Sequence, residues 1–177
     1  LGVDPDDSAA ISRNCVGADI TIEYRDGVQV VLLDGENVND FLRTPEVSDM
    51  ASRTSVNGDV RNKLMELQQE LARRQNVVMD GRDIGTVVLP NAQVKIFLTA
   101  SVAVRAKRRF LELMEKIGTA NLEEIEAQIR ERDHRDMTRP IAPLKQADDA
   151  VLVDTSDMTI DEVVDKILSI IDEKIGG

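Results

Sequence analysis

Apolar residues recur along the chain at two spacings, and the changes from one to the other divide it into elements. Ile20, Ile22 and Tyr24 alternate with polar neighbours, Asp26-Gly27 makes a turn, and Val28, Val30 and Leu32 alternate on the return, which predicts a β-hairpin. A second Asp-Gly pair, Asp34-Gly35, leads toward a short third strand around Asn37-Val38. Ahead of the hairpin, a short helix is expected to start near Asp4 or Asp6. After it, Thr44-Pro45 reads as a cap and a first-turn proline opening a helix with Val47, Met50 and Ala51 on one side. Val60, Leu64, Leu67 and Leu71 then take helical spacing from about Asp59 to Asn76.

The second half alternates differently. Val77, Val78 and Met79 form an apolar run of the kind found in strands covered on both faces, and Asp80-Gly81 ends it. Gln93 to Leu98 and Ala150 to Val153 repeat that signature. Between and after them lie a helix capped by Ser101 and ended at Gly118, a helix begun by Leu122, Ile125 and Ile129, and a last helix opened by the capping box Thr159/Glu162. Strands alternating with helices predict an α/β fold with a parallel sheet and right-handed crossovers. Ligands of such sheets bind beyond strand ends, so Asp80, Arg82 and Asp83 are expected to line a crevice in which a guanidinium grips a phosphate or carboxylate.

Composition narrows the class. With 42% hydrophobic and 31% charged residues, the chain has the make-up of a soluble globular domain rather than a disordered one. Cys15 stands alone, so there is no internal disulfide, and His134 has no second histidine or cysteine besides Cys15 with which to build a metal site. No apolar run approaches the roughly 20 residues of a membrane span, and a cytoplasmic protein is expected. The net charge of −11 argues against a nucleic-acid or anionic-membrane surface, yet residues 61–139 carry 15 Lys/Arg against 12 Asp/Glu. That suits a small polyanion held locally. The basic run Arg105, Lys107, Arg108 and Arg109 reads as a solvated helix face. Arg130, Arg132, Arg135 and Arg139, mixed with Asp133 and Asp136, leave no apolar side, so that stretch is expected to pack weakly and act as a flap over an anion.

Three segments, in order, resemble the bacterial cytidylate kinase family. Asp80-Gly81-Arg82-Asp83-Ile84-Gly85-Thr86, with Val87-Val88 and Pro90, is similar to its central signature. Arg132-Asp133-His134-Arg135-Asp136, with Arg139 and Ala142-Pro143-Leu144, resembles its lid, and Arg43-Thr44-Pro45-Glu46-Val47 with Ala51-Ser52 and Arg61 resembles its nucleoside-monophosphate-binding insert. The resemblance extends from about Gly2 to Lys174 and implies transfer of the terminal phosphoryl of ATP, with magnesium, onto CMP or dCMP. It implies that Ser52, Arg61 and Asp83 surround the cytosine, Asp136 holds the sugar, and Arg82 and Arg139 hold the CMP phosphate. Arg132 and Arg135 are then the catalytic arginines on the transferring phosphoryl, and Asp80 orients water on the magnesium ion, with no direct protein ligand to the metal. The implied layout is a partial kinase core at 1–16 and 62–177, including a lid at about 118–145, with the insert at 17–61.

The family pattern departs in one respect. A Gly-x-x-x-x-Gly-Lys-Ser/Thr loop with its strand and helix, which cradles ATP phosphates in P-loop kinases, has no counterpart in these residues. The sequence therefore reads as an N-terminally truncated part of a nucleoside monophosphate kinase whose family is usually monomeric, and which by itself associates to cover exposed core. The alternatives are a non-catalytic module binding CMP or another anion, and a kinase for another small substrate.

Overall fold

The computed structural model of the chain describes residues 2–4, 6–42 and 44–176, so the part expected of Arg43 lies outside them. Contacts divide the chain into two compact units, Leu1–Val77 and Val78–Gly177.

In the first unit, helix α1 (Ser8–Gly17) starts just past Asp6, the later of the two expected starts. Asp4 folds back to accept from the Asp6 amide at 2.9 Å, leaving Asp7 to cap the helix through the Ala10 amide. Strands β1 (Ile20–Arg25) and β2 (Val28–Leu33) pair antiparallel, with β3 (Glu36–Asn37) on the outer edge of β2. Both connecting turns are Asp-Gly pairs with positive φ, 52° and 79° at Asp26-Gly27 and 52° and 84° at Asp34-Gly35, as a two-residue hairpin demands. β3 is only two residues long, and the Asn39 side chain extends its edge: it accepts from the Val31 amide at 2.8 Å and donates to the Gln29 carbonyl at 2.7 Å.

Helix α2 (Pro45–Thr54) follows where its Thr44 cap predicts, and α3 (Gly58–Arg74) begins one residue before the expected Asp59. Thr44 Oγ1 accepts from the Val47 amide, and Asn57 Oδ1 accepts from those of Asp59 and Val60. Asn57 is itself buried and its amide nitrogen donates to Ser8 O, Ser8 Oγ and Ser12 Oγ, so one side chain caps α3 and ties it to α1. From α3, Lys63 Nζ donates to the Val16 and Ala18 carbonyls at the end of α1, where helix carbonyls lack partners.

In the second unit a five-residue π-helix (Ile84–Val88) precedes β4 (Ile96–Thr99), α4 (Val102–Ile117), α5 (Leu122–Thr138), β5 (Val151–Asp154) and α6 (Ile160–Ile175). β4 and β5 are parallel, from Ile96 opposite Val151 to Thr99 opposite Asp154, which bears out the parallel sheet. Val88, Ala100, Ala106, Ile125, Val153 and Ile170 are its buried apolar positions. Ser101 caps α4, Gly118 ends it at φ 75°, and the Thr159/Glu162 capping box forms as expected.

Two expectations are corrected. Val77–Met79 is not a strand, and Val78 is 99% exposed rather than covered on both faces. An apolar run becomes a buried strand only when others pair with it and cover it, and among the described residues the sheet of this unit consists of β4 and β5 alone. The arginine-rich stretch, expected to lack a packed side, is part of the regular helix α5 and contains a side chain as buried as the core, Asp136. Its packed side is made of carboxylates paired with arginines.

Candidate functional site

The turn after Met79 depends on small residues. A Cβ on Gly81 would lie 2.8 Å from Ile84 Cγ1, so any larger residue there forces the Ile84 side chain to shift ahead of the π-helix. Asp83 caps that helix through its backbone: its carbonyl accepts from the Val87 and Val88 amides at 2.9 and 3.2 Å, and the side chain takes no part in the cap. The carboxylate is thereby left for other partners, and Arg139 Nη2 lies 3.7 Å from Asp83 Oδ1, with both side chains almost fully buried. Arg139 is steadied by donating from Nε to the Ala142 carbonyl at 2.7 Å, just past the end of α5. Ala142 is held at φ 47°, a left-handed conformation uncommon for alanine.

One turn earlier on α5, Asp136 Oδ2 accepts from Arg82 Nε at 2.9 Å. The carboxylate is buried, whereas the arginine keeps 40% of its side chain exposed. The Asp136 carbonyl also accepts from the Leu144 amide at 2.7 Å, pinning the segment after the helix. Arg82, Asp83, Asp136 and Arg139 thus form two arginine–carboxylate pairs that link the turn to the C-terminal end of α5. Arg132 lies beside them, its Nε 3.9 Å from Asp136 Oδ2, too far for a hydrogen bond. That nitrogen is shielded from solvent and has no hydrogen-bond acceptor, while the side chain as a whole remains 43% exposed. Arg135 is half-buried on the same helix, and Asp80 is exposed in the turn.

Ser52 and Arg61 belong to the first unit, where both are bonded to Ser55. Ser55 Oγ donates to the Ser52 carbonyl at 2.7 Å, and Arg61 Nη1 donates to the Ser55 carbonyl at 3.3 Å, so the end of α2 and the start of α3 share one serine.

The structure also adds residues that the sequence reading assigned to solvent. Arg105 and Arg108, expected on a solvated face, are both engaged. Arg105 clasps Asp133 of α5 with two bonds of 2.9 and 2.6 Å, and its Nε donates to the Ala100 carbonyl. Arg108 donates to the Thr155 and Met158 carbonyls beyond β5. Lys107 and Arg108 stay exposed, in keeping with the surface pattern, and Arg109 is half-buried in an i,i+3 pair with Glu112. The hint available in the sequence was the excess of acids among the α5 arginines, which require cations on a neighbouring element.

Among the described residues no group of three or more His, Cys, Asp or Glu is placed to hold a metal ion, and no helix is long and apolar enough to cross a membrane. The arrangement instead offers fixed guanidinium groups, which suit anions.

Comparison with known proteins agrees with that chemistry. The family model described as cytidylate kinase matches residues 1–173. A cytidylate kinase of Lactobacillus johnsonii is 49% identical over 172 residues, which is 97% of this chain and 75% of that protein. One of Caldicellulosiruptor bescii is 48% identical over 95% of this chain and 74% of its own length, and one of Bacillus licheniformis 48% identical over 98% and 77%. With the match running through nearly the whole sequence, the chain belongs to the cytidylate kinase family.

Proposed function

We propose that these residues recognise CMP or dCMP as acceptor in an ATP-dependent phosphoryl transfer that yields CDP or dCDP, in the cytoplasm. The observation that carries the reading is the pair of arginine–carboxylate contacts, Arg82 with Asp136 and Arg139 with Asp83, at the central signature. A carboxylate beside each guanidinium fixes its direction before the ligand arrives, which lowers the ordering cost of gripping a phosphate. Arg82 and Arg139 take the CMP phosphate, Asp136 the sugar, and Asp83 with Ser52 and Arg61 the cytosine. Arg132 and Arg135 act on the transferring phosphoryl, where fixed positive charge offsets the negative charge spreading over its oxygens.

Magnesium fits this scheme as an ion that would arrive on the triphosphate and supply charge neutralisation there, with Asp80 the residue that would orient water near it. That mode needs no cluster of protein carboxylates. The 177 residues contain no Gly-Lys pair, so the donor-phosphate cradle of P-loop kinases is not among them, and what they supply is the acceptor site and the arginine-rich lid. The division into core (1–16 and 62–177, lid about 118–145) and insert (17–61) remains our proposal, supported by the hairpin and α2 lying within the insert.

Calorimetric titration with CMP and then AMP tests the reading. Saturable CMP binding, with AMP weaker and Asp83→Ala or Arg61→Ala abolishing it, is expected. A folded chain that prefers AMP, or binds neither, overturns the cytidine assignment.

A further inference from the structure

We infer that the Arg105–Asp133 ion pair is a positioning device that sets the rotation of α5 and thereby aims Arg132 and Arg135 at the transferring phosphoryl. The inference rests on the nucleotide reading above but names residues to which that reading gives no role. Its basis is the geometry of one planar fork. Arg105 donates Nη1 and Nη2 to the two oxygens of Asp133 at 2.9 and 2.6 Å, and Nε to the Ala100 carbonyl at 2.9 Å. Ala100 is buried immediately beyond β4, so the guanidinium is referenced to the sheet rather than to α4 alone.

Asp133 follows Arg132 directly and precedes Arg135 and Asp136 within one turn of α5. At about 100° per residue, Asp133 and Asp136 lie roughly 60° apart around the helix axis. Each is anchored to a different partner, Asp133 to Arg105 and Asp136 to Arg82. Two anchors at different angles prevent the helix from rolling, which a single one does not. Arg132 lies only about 40° beyond Asp136 on that axis, which is why its Nε ends shielded, near Asp136 but without an acceptor. A donor held there unsatisfied is costly unless a ligand oxygen takes it up. Lysine cannot replace Arg105, because one ammonium cannot meet both carboxylate oxygens and the Ala100 carbonyl in a single plane.

The test compares CDP, whose terminal phosphate occupies the transferring position, with CMP, which lacks it. In calorimetry, Asp133→Asn and Arg105→Lys are expected to lower the ratio of CDP to CMP affinity about ten-fold while CMP affinity stays within about two-fold. Asp133→Glu, which keeps the carboxylate, should recover part of the ratio. A parallel fall in both affinities, or an unchanged ratio, overturns the inference. Amide hydrogen exchange over residues 130–136 of the free chain provides a readout independent of nucleotide: Asp133→Asn should speed it about ten-fold, whereas unchanged exchange rejects positioning by itself. If the wild-type chain binds neither nucleotide, the parent reading fails whatever the exchange shows. Thermal unfolding of each variant confirms that the comparison is made between folded proteins.

Discussion

At the scale of single residues, exposure decides what each carboxylate is worth. Asp83 and Arg139 are enclosed on both sides, whereas Asp136 faces an Arg82 that water can still reach. Water cannot take the place of a partner lost from an enclosed pair, so Asp83→Asn should cost about 3 kcal/mol, and Asp136→Asn about 1–2 kcal/mol because Arg82 can rehydrate. Urea unfolding of the two variants checks the order, and the reverse order would show that exposure does not set the cost. Glu112 provides the pH counterpart. Its hydrogen bonds to Lys116 and then Arg109 hold its carboxyl at about 2, below the ordinary 4.5. A lowered carboxyl pKa contributes stability that is whole above pH 4.5, shrinks as the pH falls and is gone below 2. The pairs are solvent-exposed, so Glu112→Gln should cost only about 0.3–0.5 kcal/mol at pH 7 and nothing at pH 2, as thermal melts at the two pH values would show.

Elements were the most legible level. Thr44, Asn57, Ser101 and Thr159 all cap helices, because a cap is a contact between a side chain and its own backbone two or three residues on. Asn57 does more than the local signal says. Replacing it with alanine removes both cap bonds and leaves Ser8 and Ser12 without their donor, so Asn57→Ala should cost about 2–3 kcal/mol in chemical unfolding. Asn57→Asp keeps the cap but loses the tie to α1; equal stability to wild type would mean the tie contributes nothing. Strands were read less well. The two-residue turn at Asp26-Gly27 places Arg25 opposite Val28, so Ile20, Ile22 and Tyr24 point to the opposite face from Val30 and Leu32. Val30 and Leu32 are buried, and Tyr24 is 66% exposed, although each strand alone shows the same apolar alternation.

For the molecule as a whole, charge separates function classes. At a net −11, the chain should not retard duplex DNA in about 0.15 M salt under conditions where CMP binds. Retardation would overturn the view that the cationic stretch 61–139 serves a small polyanion. The sequence alone determined helix ends, hairpin turns, the parallel character of β4 and β5 and the family, because these depend on neighbours along the chain or on motif order. It also marked Asp80, Arg82 and Asp83 in a glycine-marked turn and the charged stretch from Arg130 to Arg139 toward a helix end, because charge stands out against an apolar background; the roles of Asp136 and Arg139 within that stretch came only from the family resemblance. Only the tertiary structure decided which arginine meets which carboxylate, that Arg105 and Arg108 bond to other elements, and that Val78 is bare rather than covered. Those outcomes depend on which distant residue comes within about 3 Å, and neither periodicity nor composition encodes that distance.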